Sequence, residues 1–203
     1  FQQKKGYCSY PDSVLQQYPN RKYLGEPFYH SVRYSYEFDE RIQFGLVTEK
    51  DAGEPFWNEY HKGYDYYSVH LFLKEMNKWL KSLAIGDYKI SFGQGLVISN
   101  DFSPGRSALV SQTERRTNGF RRHFSTNEND FFRGAAATVN WKNLDINLFY
   151  SYRELDGGVD STIVTSFKTD GLHRLVRDRE KMHKVSMQTY GGNVRYATPG
   201  LCI

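Results

Sequence analysis

No stretch of this 203-residue chain approaches the roughly 18 consecutive apolar residues of a membrane-spanning helix. Apolar content is low at 39%, and mean hydropathy is −0.68. Cysteine is scarce: Cys8 and Cys202 match no metal-binding spacing and leave the redox compartment open. His61, His70, His123, His173 and His183 are scattered without metal-ligand spacing. Phe92-Gly93-Gln94-Gly95 lacks the Lys-Ser/Thr ending and following helix of a phosphate-binding loop. Ser103-Pro104-Gly105-Arg106-Ser107 reads as a turn rather than a nucleophile elbow. Asp87 and Asp101 flank the glycine-rich stretch without defining a carboxylate pair. These absences argue against an enzyme, and no catalytic residue, metal ligand or cofactor is expected. They leave a transmembrane β-barrel open, because half of each strand faces a polar interior and dilutes the hydropathy.

Aromatic residues, by contrast, are abundant for so polar a chain: 16 Tyr, 14 Phe and 3 Trp. The clearest pattern is L-D-I-N-L-F-Y-S-Y-R at residues 144–153. Leu144, Ile146, Leu148, Tyr150 and Tyr152 share one face of an extended strand; Asp145, Asn147, Ser151 and Arg153 share the other, with Phe149 as an apolar intruder. At about 3.3 Å per residue, ten residues span roughly 33 Å, and a tilted strand crosses a bilayer in about 9–11 residues. Residues 29–38, 41–50, 64–74 and 188–197 alternate in the same way, while 79–90 and the alanine-rich 131–141 do so less cleanly.

Short links at 39–40, 75–78, 142–143 and 198–200 alternate with long ones at 51–63, 91–130 and 154–187, and a leader spans 1–27. In an up-and-down meander this places every short turn at one end and every long loop at the other, the asymmetry of outer-membrane barrels. Structureless loops of that length are unusual in a compact soluble domain, so 91–130 is read as carrying local structure or entering the barrel as a constriction or plug. The expected fold is therefore all-β, an antiparallel up-and-down transmembrane β-barrel or a multi-strand piece of one over 28–203. At least seven strands are visible and an eighth is cut at Ile203, so the chain reads as a window of a longer protein.

The polar strand faces offer Arg33, Glu37, Asp145, Asn147, Ser151, Arg153, Asn193 and Arg195 as lumen-lining candidates. The alternative for these residues is the solvated face of an ordinary sheet. Tyr36, Phe38, Trp79, Trp141, Tyr150 and Tyr152 gather near strand ends, as membrane-interface aromatics do; they are also ordinary strand formers. Arg106, Arg115, Arg116, Arg121 and Arg122, with Phe120 and Phe124 interleaved, suit either contact with a polyanion or a polar plug. A net charge of +4 permits lipopolysaccharide or nucleic acid as that polyanion, but Glu114, Glu128 and Asp130 dilute the cluster and disfavour nucleic acid.

The runs Y-S-Y-E-F-D-E-R-I-Q-F-G-L-V-T-E-K-D at 34–51, L-A-I-G-D-Y-K-I-S-F-G-Q-G-L-V-I at 83–98 and S-P-G-R-S at 103–107 resemble an uncharacterised family of Bacteroidota proteins that carry a helix-hairpin-helix domain ahead of a long outer-membrane β-barrel. The resemblance runs from about residue 23 to the end and concerns the barrel portion; the helical module has no counterpart here. It implies residence in the bacterial outer membrane, with lipid, lipopolysaccharide and other envelope proteins as partners. It implies no established activity. The expected function is a non-enzymatic channel, transport or envelope-assembly component. The alternatives are a surface module binding a polyanion or partner protein, and a soluble barrel or sandwich carrying a small ligand.

Overall fold

A computed structural model describes residues 5–58, 62–95, 97–100, 119–198 and 201–202. Antiparallel sheet dominates. Strands β1 (His30–Phe38), β2 (Ile42–Lys50), β3 (Tyr66–Lys74), β4 (Leu80–Phe92), β5 (Ile98–Ser99), β6 (Gly119–Arg122), β7 (Phe132–Trp141), β8 (Leu144–Leu155), β11 (Val185–Thr198) and β12 (Leu201–Cys202) form one sheet. Its order is β1-β2-β3-β4-β7-β8-β11-β12, with β5 and β6 paired to β4. Strands β9 (Gly157–Asp160) and β10 (Ile163–Phe167) make a separate hairpin. The expected all-β meander is present. Among the described residues the sheet is open, since β1 pairs only with β2 and β12 only with β11.

Turn chemistry explains the hairpins. Asp39 and Glu40 both adopt positive φ, near 50°, which lets a tight turn follow the twist of its strands. Lys142, at φ 58°, does the same between β7 and β8. Asn77 Oδ1 accepts the backbone N–H groups of Trp79 and Leu80 at 2.9 and 2.7 Å and holds the β3–β4 link.

The chain divides into two compact units. The first comprises residues 1–33, 47–67 and 154–186. It gathers the leader, with the short helices α1 (Asp12–Gln17) and α2 (Val176–Arg179), and two of the long connections. Residues 154–187, read from sequence as one long loop, hold the end of β8, the β9–β10 hairpin, α2 and the start of β11. Backbone bonds stitch this unit: Leu24 N–H donates to Arg174 O at 2.9 Å, and Gly25 N–H to Gly53 O at 3.0 Å.

The second unit comprises 34–46, 68–153 and 187–203. Here the β7–β8 register sets Gly134, Ala136, Thr138 and Asn140 opposite Ser151, Phe149, Asn147 and Asp145. Directly opposed residues share a face, so the polar set of β8 and this half of β7 line one side together. That side is the buried one. On β8, Asp145, Asn147, Ser151 and Arg153 are 0–8% exposed, whereas Leu148, Tyr150 and Tyr152 are 41–58% exposed. The intruder Phe149 also faces the buried side, where it packs with Phe132 and Phe120 at ring-centroid distances of 5.8 and 6.5 Å. Phe72, Ala84, Tyr88, Ile90, Phe92, Phe120 and Ala136 complete this small apolar core. Each large side chain buried there contributes about 1.5–3 kcal/mol.

The register irregularity in β4 falls between Leu80 and Ser82, beside Lys81. Gly86 and Gly134 lie opposite each other, at φ +92° and +156°. A Cβ on either would come within 2.3 Å of a neighbouring carbonyl oxygen, of Val69 or Tyr150. Beyond this kink β4 leaves β3, and β6 takes up its free edge: Tyr88 opposes Arg122 on one side and Phe132 on the other.

Candidate functional site

The buried polar face of the second unit builds two connected groups. Ser82 Oγ donates to Thr138 Oγ1 at 2.9 Å, Thr138 Oγ1 donates to Asn147 Oδ1 at 2.7 Å, and Asn147 reaches Asn193 at 3.4 Å. Alongside, Asp145 accepts from Lys81 Nζ at 2.6 Å and Asn140 Nδ2 at 2.7 Å, with Arg195 Nη2 at 3.4 Å. The structure thus brings four of the sequence candidates together: Asp145, Asn147, Asn193 and Arg195. Their partners Lys81, Thr138 and Asn140 were not anticipated. Lys81 turns inward because it sits beside the irregularity at the start of β4.

Ser151 and Arg153 play a different part on the same face. Ser151 Oγ accepts the Arg133 backbone N–H at 3.0 Å. The Arg153 guanidinium donates to the carbonyls of Glu128, Asn129 and Phe131 at 2.5–2.7 Å and stacks 4.0 Å over the Phe131 ring. It staples the end of the long insertion to the sheet. Glu37 lies on the exposed edge strand, accepting from Gln43 Nε2 at 2.9 Å, and Arg33 is exposed on that strand in the first unit.

The second unit also holds a cleft of about 650 Å³, lined by Gln43, Phe72, Lys74, Lys89, Phe120, Arg121, Arg122, Phe124 and Ser125. Arg121 and Arg122 belong to β6, whose own Phe120 is packed edge-on against Tyr88 and Phe92 in the core. Residues 119–122, expected within a long loop, are therefore a strand paired with β4. Arg106, Arg115 and Arg116 lie outside the described residues. Behind the cleft, His70 packs on Phe124 and fits against β2 only because Gly45 has no side chain: a Cβ there would sit 2.3 Å from the ring. His123 stacks on Phe131 at 4.6 Å. Burial pushes its pKa down to about 4, and Lys89, Arg153 and His70 add to this against the pull of Asp87.

The interface candidates are all exposed: Tyr36, Phe38, Trp79, Trp141, Tyr150 and Tyr152. Phe38, Trp79 and Trp141 each flank a short turn. No protein-family model, curated protein or solved structure matches the chain.

The first unit holds a second constellation that the sequence spacing hid. His173 hydrogen-bonds Asp65 through Nδ1 and Asp156 through Nε2, and its backbone N–H donates to Glu54 Oε1 at 2.6 Å. Glu54 Oε2 accepts the Asp51 N–H at 2.8 Å, and Asp156 Oδ1 accepts the His183 N–H at 2.9 Å. Burial alone would lower the His173 pKa, but the bonds to Asp156 and Asp65 outweigh it and raise the pKa to about 10. Burial likewise works against the Asp156 carboxylate, and the bonds from His173 and His183 outweigh it and hold that pKa below the ordinary value. Glu54, Asp65 and His173 present donor atoms within 4.8 Å of one another and are the described residues that could hold a metal. With both ring nitrogens donating to carboxylates, the imidazolium keeps no lone pair for an ion, so the arrangement is a charge clamp.

Proposed function

We propose that the chain is part of the wall of a bacterial outer-membrane β-barrel, with the exposed apolar face of the second unit in lipid and the buried polar face lining a watery interior. The resemblance to the Bacteroidota barrel family points the same way. The observation that carries the reading is the inversion on β8: Asp145, Asn147, Ser151 and Arg153 are covered, whereas Leu148, Tyr150 and Tyr152 are open. A soluble antiparallel sheet does the reverse, turning its apolar face to the core. The outward positions on β7 and β8, from Ala135 to Trp141 and Leu144 to Tyr152, carry no charge. A Lys or Arg at mid-bilayer costs about 2–4 kcal/mol, so this is the composition lipid requires.

The interior then meets solute through the Asp145 and Asn147 networks and is narrowed by the docked β6 and its cleft. That arrangement fits a channel, transport or assembly role without catalysis. Pairing of β6 with β4 and burial of Phe120 favour a constriction over a free surface-binding loop.

The test is recovery of the chain from bacterial envelopes. It should require detergent for extraction and run at different mobility on a denaturing gel before and after boiling. A chain that stays in solution without detergent would mean that another protein surface, not lipid, covers the apolar face.

A further inference from the structure

We infer that the cleft lined by β2, β3, β4 and β6 binds a multivalent oxyanion, the phosphate groups of a small dissolved solute. The strongest sign is a like-charge pair built into a strand ladder: Lys89 lies directly opposite Arg121. Like charges in that relation are destabilising. The other edge of β4 is arranged in the opposite sense, with Asp87 facing Arg133 in a two-pronged ion pair at 2.7 and 2.8 Å. One strand thus sets an ion pair against β7 and two cations against β6, and both of those cations line a cavity.

Two further cations point to the same space. Arg122 lines the cleft, and its Nη1 is buried without a hydrogen-bond acceptor among the described residues; the nearest carboxylate, Glu37, stands off at 3.9 Å. Lys74 lines it from β3, and neither Lys74 nor Lys89 makes an ion pair among the described residues. Phosphate oxygens would give these groups charge-assisted acceptors. Phe72, Phe120 and Phe124 supply apolar walls that lower the local dielectric and strengthen each contact. A cleft of about 650 Å³ admits a solute larger than a bare ion. The inference deepens the barrel reading in taking this face as the wet one, but the charge arrangement stands without a membrane.

The experiment titrates inorganic pyrophosphate into the whole chain in detergent solution, read by calorimetry and by the thermal midpoint. Pyrophosphate should bind and raise the midpoint, and added salt should weaken binding. Lys89→Gln and Arg122→Gln should each weaken it about tenfold, the loss of one charge-assisted hydrogen bond. Arg41→Gln, at a residue whose guanidinium pairs with Asp39 at 3.5 Å, should change nothing. Without pyrophosphate, Lys89→Gln should melt no lower than the unaltered chain, since it removes a repulsion; this separates loss of binding from loss of fold. Absent pyrophosphate binding, or binding unchanged when Lys89→Gln and Arg122→Gln are combined, overturns the inference. A second arm uses micelles doped with a phosphorylated lipid: if these bind and pyrophosphate does not, the cleft is a headgroup site and the dissolved-solute inference falls. Should the chain prove soluble without detergent, the barrel reading fails, while the titration still decides the cleft.

Discussion

His173 in the first unit and His123 in the second are almost equally buried, 3% and 0% exposed, yet they are held in opposite protonation states. Burial pushes both toward the neutral form. What differs is the company. His173 sits between the Asp65 and Asp156 carboxylates, whereas His123 lies against an aromatic ring with Lys89 and Arg153 acting on it. The first unit uses ion pairing to close a set of loops. The second keeps its histidine uncharged in a region already rich in positive charge.

The largest effect should come from removing the cation of the clamp. His173→Leu removes the hydrogen-bonded counter-charge of buried Asp156 and leaves Asp65 facing Arg179 at 3.7 Å, a loss of about 3–5 kcal/mol. Hydrogen exchange at residues 168–184 should accelerate sharply. His173→Gln, which retains a donor, should cost less, and adding Asp65→Asn to it should recover part of the loss. Equal protection in His173→Leu and the unaltered chain would remove the clamp from the account of the fold.

Acid and alkali should separate the units. His173 has a folded pKa above its unfolded value of about 6.5, so its contribution is complete below that pH and disappears as pH rises toward about 10. His123 has its folded pKa below the unfolded value, so its contribution is complete above pH of about 6.5 and disappears as pH falls toward about 4. Protection at residues 119–132 should therefore weaken first on acidification, and protection at 168–184 first on alkalinisation. Parallel loss in both segments would mean that the two histidines do not set the pH response.

How much of this was readable in the chain follows the same division. The long strands announce themselves because side chains alternate faces every second residue, and even the exception on β8 was visible; what Phe149 does became clear only once Phe120 and Phe132 met it. Strand β6 escaped notice because Gly-Phe-Arg-Arg carries no alternating apolar set and owes its conformation to the edge that β4 frees beyond Gly86. Lys89 shares the parity of Leu83 and Ile85, a charge on the apolar face of its strand and a reason that 79–90 alternates less cleanly. The clamp had no local signature. Its Glu54 and His173 are 119 positions apart, and only chain reversal at the loops assembles them.

A smaller change tests the neutral side of the comparison. Gly45→Ala places a methyl 2.3 Å from the His70 ring, which is packed against Phe124 behind the cleft. Overpacking of this kind costs about 1–3 kcal/mol. It should lower the thermal midpoint and loosen residues 119–124 without touching 168–184. A neutral outcome would show that the ring has room to turn, and that the second unit tolerates strain the clamp does not.

The smallest expected effect is none. Glu54, Asp65 and His173 have the residue types and proximity of a metal centre, but the imidazolium between two carboxylates already supplies the positive charge an ion would bring. Burial and the neighbouring Asp65 raise the Glu54 pKa, so the site already strains against its negative charge, and a cation would be welcome if the ring gave up a proton. Chelator at neutral pH should leave the thermal midpoint of the purified chain where it was, and divalent cations added afterwards should not move it. A fall of several degrees on chelation, reversed by one cation, would convert the clamp into a metal site with His173 Nδ1 as ligand and Asp156 as its hydrogen-bonded support. It would also reverse the alkaline prediction, because a metal-bound imidazole must be deprotonated and its affinity grows as pH rises.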